Sequence, residues 1–109
     1  MALRRGEIRT VSGGAYAMKP RPAIIIQDDA FHRFDSVTLI PCTTNPTSAP
    51  AIRPGLLPSP GNGLRSDCRA MIDKTTTVPR ADRGTRIGTL AEDDMLRISR
   101  ALVLFLGIG

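Results

Sequence analysis

The sequence predicts a single mainly β domain: a small, curled antiparallel sheet closed by a C-terminal helix. Apolar and β-branched runs recur through residues 5–90 and alternate with turn segments rich in Gly and Pro. A long segment with helical periodicity follows them at the end of the chain. With 109 residues, three Phe, one Tyr and no Trp, the chain can bury one modest aliphatic core. Residues 1–109 are therefore expected to form one domain.

The first half of the chain contains the clearest strand patterns. Gly6–Val11 is a short β pattern, and residues 12–20 are expected to form an exposed connection after it. Arg21–Gln27 and Ser36–Asn45 are the two strongest patterns, with apolar, β-branched middles. The polar segment Asp28–Asp35 joins them and has room for one helical turn.

The second half begins with loop material and returns to strands. Residues 46–63 are rich in Pro, Gly and Ser, with room for short edge strands at 51–53 and 56–57. Asp67–Val78 has strand character, residues 80–86 form a basic turn region, and Ile87–Leu90 can close a last strand. The order of strands followed by a helix predicts the curled sheet.

The C-terminal segment has helical periodicity. Thr89 and Glu92 have the spacing of a capping box, and acidic residues follow them. The apolar positions on one face are Met95, Ile98, Leu102 and Phe105. The apolar positions that widen this face are Leu96, Val103, Leu104 and Leu106. So broad an apolar surface needs burial on two sides, and a second subunit could supply one of them.

The charge balance favours a polyanionic partner. Fifteen Lys and Arg oppose ten Asp and Glu, which gives a net charge of +5. All of these cations except Lys19 and Lys74 are arginines, which bind phosphate in a bidentate manner and stack on bases. Nucleic acid is the expected partner, while a basic surface without a partner remains the alternative.

Cysteine and histidine usage gives no indication of a metal or cofactor. Cys42 and Cys68 lack CxxC spacing, so we expect reduced thiols in a cytoplasmic protein. His32 is the only histidine and is expected to be a surface loop residue. No apolar stretch reaches the roughly 20 residues of a membrane span. The charged N-terminus is not followed by an apolar segment, so no targeting signal is expected.

Polar residues at the ends of the two strongest strand patterns suit phosphodiester chemistry. Arg21 opens the first pattern, and Thr43 and Thr44 close the second. RNA carries its own nucleophile, the 2′-hydroxyl, so its cleavage requires a base, donors for the charged phosphorane and a proton source. Asp73 is the candidate carboxylate, and the adjacent Lys74 favours its ionised form. A strand-end aspartate that caps a turn is the structural alternative.

At these residues the chain resembles the MazF/PemK family of toxin endoribonucleases. The matching segments occur in family order across nearly the whole length: Arg5–Ile8, Arg21–Phe31, Ile40–Asn45, Asp73–Val78 and Arg86–Leu90. The loop before Arg21 lacks the acid or histidine common in the family. The ordered set, rather than any single segment, carries the resemblance.

The resemblance implies an SH3-like or CcdB-type β-barrel that forms a homodimer. It also implies a toxin of a type II toxin–antitoxin system that is inhibited by a cognate antitoxin and arrests translation and growth. Such enzymes cleave single-stranded RNA at short sequence motifs without a metal, leaving 2′,3′-cyclic phosphate and 5′-hydroxyl ends. The family's catalytic residues correspond to Arg21, Thr43 and Asp73.

The residues expected to contact RNA surround these three positions. They are Pro22, Gln27, Thr44, Asn45, Arg69, Lys74 and Thr76. Because the pKa of arginine is too high for proton donation, we expect Arg21 to clamp the phosphorane and Thr43 to donate a hydrogen bond. Two alternatives remain open: a CcdB-like gyrase poison with the same barrel, and a non-catalytic barrel that binds RNA.

Overall fold

The computed structural model describes residues 3–13 and 17–109. Within them a seven-stranded sheet precedes one α-helix. The strands are β1 Glu7–Gly13, β2 Ala17–Ile25, β3 Ser36–Thr43, β4 Gly55–Leu56, β5 Cys68–Ala70, β6 Thr76–Pro79 and β7 Arg83–Thr89. The helix, α1, spans Glu92–Leu106. Short 3₁₀ helices lie at Asp29–Phe31, Ile72–Lys74 and Arg80–Asp82.

Strand β3 pairs with three other strands and thereby sets the shape of the sheet. The strand order is β4-β5-β3-β2-β1-β7, and β6 pairs with β3 beside this path. The first half of β3 pairs with β6 and its last two residues pair with β5, while β2 lies along the other side. All these pairs are antiparallel, and one strand serving two partners on the same side makes the sheet curl. The predicted fold class is therefore confirmed.

Both faces of the curled sheet are apolar. One core contains Ile8, Ile24 and Ile40 and receives Ile98 and Ala101 from α1. The other core lies on the opposite face of the same strands. Its members are Leu3, Val11, Ala23, Ile25, Val37, Leu39 and Val78. Neighbouring residues of β2 and β3 thus enter different cores, which explains the continuous rather than alternating apolar runs of the sequence.

A buried ion pair within β1 also makes contacts with β7. Arg9 Nε donates to Glu7 Oε1 at 3.0 Å, and both residues are buried. Arg86 on β7 lies 3.5 Å from the other Glu7 oxygen. Each buried charge therefore has a partner, as burial of an ion requires.

The observed strands differ from the predicted ones at their ends. β2 begins at Ala17 rather than Arg21, so Arg21 lies inside a strand. The predicted connection at 12–20 shrinks accordingly, and its residues 14–16 lie outside the described part. The predicted strand Asp67–Val78 divides into β5 and β6 around a 3₁₀ turn. The predicted basic turn at 80–86 is a 3₁₀ turn followed by the start of β7.

The helix begins where acidic residues predicted it, but without the predicted capping box. Its N-cap is Ala91, which has no side chain to cap, and Thr89 is the last residue of β7. Its first turn is acidic, with Glu92, Asp93 and Asp94. It ends at Gly107, whose φ of 68° is the left-handed conformation of a helix C-terminus. No helix in the described ranges is long and apolar enough to cross a membrane.

Candidate active site

Arg21 and Thr43 belong to the paired strands β2 and β3. Their register pairs Ile25 with Leu39, Ile24 with Ile40, and Ala23 with Pro41. Continued by two residues, this register places Arg21 opposite Thr43 on the same face. Cross-strand neighbours of this kind have Cβ atoms about 4.5–5.5 Å apart. Both side chains line the same two clefts.

The first of these, the central cleft, has a volume of about 410 Å³. Its strand wall consists of Arg21, Pro22, Thr43 and Thr44, and its loop wall consists of residues 63–66. Its floor is formed by Thr10, Cys42, Cys68 and Ile87. The cleft therefore joins the middle of β2 and the end of β3 to the loop between β4 and β5.

The charged residues of the central cleft are cationic. Among the described residues that line it, Arg21 and Arg65 carry charge and none is Asp, Glu or His. Both arginines are exposed, and neither has a side-chain partner in the described ranges. Two unpaired guanidinium groups in one cleft suit an anion with oxygens on several sides, such as a phosphodiester.

The second cleft, the Lys74 cleft, extends the site towards β6. Arg21 and Thr43 line it together with Asn45, Lys74 and Thr76. A third, the Arg97 cleft, extends the other way; Thr44, Asn45, Arg69 and Arg97 line it. The structure thus places six of the seven predicted RNA-binding residues along one continuous set of clefts. The six are Pro22, Thr44, Asn45, Arg69, Lys74 and Thr76.

Gln27 lies apart from these clefts. Its side-chain amide donates to the Phe31 carbonyl at 3.2 Å, and its Oε1 accepts from the Thr38 backbone at 2.9 Å. Both contacts tie the end of β2 to the loop and to the start of β3. This is the opposite end of β3 from Thr43. The Gln27 side chain therefore stabilises the loop and does not line the clefts described above.

Asp73 lies in a 3₁₀ turn, and its carboxylate is already paired. Arg53 Nε and a terminal Arg53 nitrogen donate to its two oxygens at 2.9 and 2.8 Å. This bidentate hydrogen bonding holds the pKa of Asp73 below its usual value and raises the pKa of Arg53. Asp73 lines neither cleft that contains Arg21 and Thr43. The predicted base is therefore paired with Arg53, although the adjacent Lys74 lines the second cleft together with Arg21 and Thr43.

The two cysteines meet in the floor of the central cleft although 26 positions separate them in the sequence. Both are free and buried. A hydrogen bond between the thiols raises the pKa of Cys42, as does burial, and lowers the pKa of Cys68. Cys68 thus has the greater thiolate character of the two.

The loop wall contains the site residues that were missed from the sequence. Asn62 is 2% exposed; its Oδ1 accepts from the backbones of Ser59 and Leu64, and its amide donates to the Leu57 carbonyl. A Cβ at Gly63 would lie 1.9 Å from the carbonyl oxygen of Ile87 on β7. The Asn62-Gly63 dipeptide was the available signal, since this pair favours tight turns. It could not show that the turn presents Arg65 to the cleft.

Comparison with known proteins identifies the family of the chain. A family model described as PemK-like, MazF-like toxin of type II toxin–antitoxin system matches residues 4–106. The chain belongs to this family. The MazF-like chain is also 52% identical over 108 residues to the probable endoribonuclease MazF of Mycolicibacterium smegmatis. That match covers 98% of this chain and 99% of the relative.

Solved structures of MazF-like toxins share the fold. One is Mycobacterium tuberculosis toxin MazF-mt6, with a TM-score of 0.81, 23% identity, and coverage of 94% of this chain and 98% of the other. Another is a mycobacterial endoribonuclease in complex with its cognate antitoxin, with a TM-score of 0.80, 20% identity, and coverage of 99% and 98%. A MazE–MazF structure from Deinococcus radiodurans has a TM-score of 0.78 at 16% identity, with all of both chains covered.

These matches confirm the predicted family and, with it, the predicted enzyme class, an endoribonuclease. They identify the MazF-like chain as a toxin of the type II toxin–antitoxin class.

Proposed function

We propose that the protein cleaves single-stranded RNA at short sequence motifs by attack of the 2′-hydroxyl, without a metal. The single observation that carries this proposal is the meeting of Arg21 and Thr43 in a cationic cleft that no acid lines. A guanidinium and a hydroxyl can bind the non-bridging oxygens of one phosphate. The extended clefts on both sides suit a single strand, whose bases can splay into pockets.

In the proposed reaction the 2′-oxygen forms a bond to phosphorus and the bond from phosphorus to the 5′-oxygen breaks. The 2′-hydroxyl loses a proton and the departing 5′-oxygen gains one, so the products are a 2′,3′-cyclic phosphate and a 5′-hydroxyl. Arg21 stabilises the additional negative charge of the phosphorane, and Thr43 Oγ1 donates a hydrogen bond to it. These interactions strengthen as charge develops, which is what accelerates the step.

The 2′ proton needs an acceptor. Asp73 is the base that the resemblance implies, but its carboxylate is paired with Arg53 and does not line the central cleft. The geometry favours solvent hydroxide as acceptor and water as the proton donor to the leaving oxygen. Substitution of Asp73 distinguishes the two acceptors.

The partners we propose follow from the family and from the surface. Because a mycobacterial endoribonuclease of this fold has been solved in complex with its cognate antitoxin, we infer a cognate antitoxin for this chain. The apolar surface of α1 that stays exposed supports a homodimer. As a toxin directed at cellular RNA, the protein is proposed to act in the cytoplasm and to arrest translation and growth.

The decisive experiment incubates purified protein with long, mixed-sequence single-stranded transcripts in excess EDTA. We expect discrete fragments whose 5′ ends accept phosphate from polynucleotide kinase without prior phosphatase treatment. Intact RNA across such a set would overturn the proposal, and cleavage that EDTA abolishes would overturn its metal independence. Salt-sensitive RNA binding without products would favour the non-catalytic barrel instead.

A further inference from the structure

Arg65 is a second exposed cation in the central cleft, and the family resemblance assigned it no role. It lies on the loop wall, whereas Arg21 and Thr43 lie on the strand wall. Its guanidinium has no hydrogen-bond or ion-pair partner in the described ranges. An exposed arginine that supports no fold contact yet lines a catalytic cleft is available to a ligand.

The loop fixes the position from which Arg65 projects. The Asn62 side chain stabilises the turn by accepting hydrogen bonds from two of its backbone N–H groups. The backbone of Thr89 on β7 also donates to the Gly61 carbonyl at 2.9 Å. Leu64, the residue immediately before Arg65, is 8% exposed and belongs to the core. Arg65 therefore starts from a held backbone, which reduces the entropy lost when its side chain binds.

The backbones of the loop and of β7 are in such close contact that neither segment can shift without the other. A Cβ at Gly63 would meet the Ile87 carbonyl oxygen at 1.9 Å, and a Cβ at Gly88 would meet the Asn62 backbone at 2.3 Å. Two glycines facing each other across this contact allow the backbones to touch. The loop wall is thereby attached to the same sheet that positions the strand wall.

The charge requirement of the reaction matches two cations better than one. A phosphodiester carries one negative charge, and the phosphorane formed from it by an ionised 2′-oxygen carries two. The cleft offers Arg21 and Arg65 on separate walls and no acid between them. Because Arg21 and Arg65 both line this cleft of about 410 Å³, a phosphate bound between its walls would face both guanidinium groups.

We propose that Arg65 is a further catalytic residue, which binds the scissile phosphate from the loop wall while Arg21 binds it from the strand wall. This inference rests on the proposed function and adds a residue to its site. Because the second charge develops only in the transition state, loss of Arg65 lowers kcat more than it raises KM.

The test compares Arg65→Ala, Arg65→Lys and Arg33→Ala with the wild type on an oligonucleotide that contains the cleavage motif found with the wild type. Arg65→Ala is expected to lower kcat by about 10²–10³-fold, the usual cost of one preorganised donor. Arg65→Lys keeps the charge but loses the bidentate geometry, so it is expected to restore only part of the rate. Arg33 is exposed and unpartnered in the described ranges, at the far end of β3, so Arg33→Ala controls for net charge and should cleave normally.

A binding measurement separates contact with phosphate from a structural effect. The same oligonucleotide with one 2′-deoxy substitution at the cleavage position cannot react. Its binding constant, measured against salt, should lose about 0.7 from the logarithmic slope in Arg65→Ala, as expected for one phosphate contact on a single strand. Because Arg65 supports no fold contact, its variants should also unfold at the wild-type Tm.

The outcomes are distinguishable. A wild type that cleaves no RNA removes the proposed function, and this inference with it. A wild type that cleaves, with Arg65→Ala within about twofold of it, removes only the inference. Equal losses in Arg65→Ala and Arg33→Ala would attribute the effect to general charge and would also overturn it.

Discussion

Arg21 and Thr43 are prepared for the same phosphate in different ways. Pro20 and Pro22 restrict the backbone on both sides of Arg21, whose side chain is exposed and unpartnered in the described ranges. Thr43 is only 7% exposed, and its Oγ1 accepts from the Asn45 backbone at 3.2 Å. That contact uses an acceptor site of the hydroxyl and leaves its proton free to be donated to a phosphate oxygen.

Removing either group should therefore affect cleavage rather than folding. Arg21→Ala and Thr43→Ala are each expected to lower the cleavage rate by about 10²–10³-fold. Thr43→Ser keeps the hydroxyl and is the matched control, expected to retain most of the rate. Single-turnover cleavage of RNA measures the effect, and wild-type rates in either alanine variant would remove that residue from the mechanism.

The pairing of Asp73 with Arg53 should make the stability of the fold depend on pH. Its pKa is lowered chiefly by the hydrogen bonds from Arg53, so the pair stabilises the fold at neutral pH. That contribution is present above the ordinary aspartate pKa and is lost as the pH falls through the lowered value. Asp73→Asn should thus lower the Tm at neutral pH and have little effect once the wild-type carboxylate is protonated.

The same variant distinguishes the two proton acceptors by activity. With solvent hydroxide as acceptor, Asp73→Asn should keep the cleavage rate at temperatures well below its Tm, and the rate should rise in proportion to hydroxide. With Asp73 as base, its low pKa predicts a rate that is flat above that pKa, and Asp73→Asn should lose nearly all of it. The rate measured against pH for both proteins decides between these outcomes.

At the scale of elements, the sequence predicted the boundaries of those strands and helices that have a clear local residue pattern. β3 was predicted to start at Ser36, and α1 begins at Glu92 as its acidic first turn indicated. The start of β2 was wrong because Pro20 and the residues before it have weak β patterns and are held by pairing with β1. Pairing between distant segments also explains why the thiol contact and the position of Arg65 could not be predicted. The thiol contact depends on the pairing of β3 with β5, and the position of Arg65 depends on the packing of the 57–67 loop against β7. Local sequence encodes neither.

The contact of this loop with β7 should be the sensitive point of the fold. Gly63 has a φ of 68°, and a Cβ there would also meet the Ile87 carbonyl, so Gly63→Ala must displace the loop. We expect it to lower the free energy of unfolding by about 1–3 kcal/mol. Gly61→Ala, in the same loop with its nearest neighbour at 4.0 Å, is the matched control and should change little. Urea unfolding measures both; equal stabilities would show that the loop adapts without cost.

At the scale of the whole molecule, the helix shows that the fold leaves part of its apolar surface uncovered. Ile98 and Ala101 are the buried residues of α1. Leu104 is 63% exposed, and Leu96, Val103 and Leu106 are also exposed. The sequence predicted this, because the apolar positions covered more of the helix than one core can bury. A surface of this kind on a small basic domain is typical of an interface.

Leu104→Glu should break the proposed homodimer. Each buried leucine contributes about 1.5–3 kcal/mol, and a two-fold interface loses it twice, so the dissociation constant should rise about 100-fold or more. Leu57 is 71% exposed on the loop that follows β4, so Leu57→Glu makes the same chemical change outside α1 and should remain dimeric. Sedimentation equilibrium over a range of concentrations compares the two. A wild type that stays monomeric would overturn the homodimer, and a Leu104→Glu variant that associates as tightly as the wild type would place the interface elsewhere. In either case the apolar face of α1 would need a different partner.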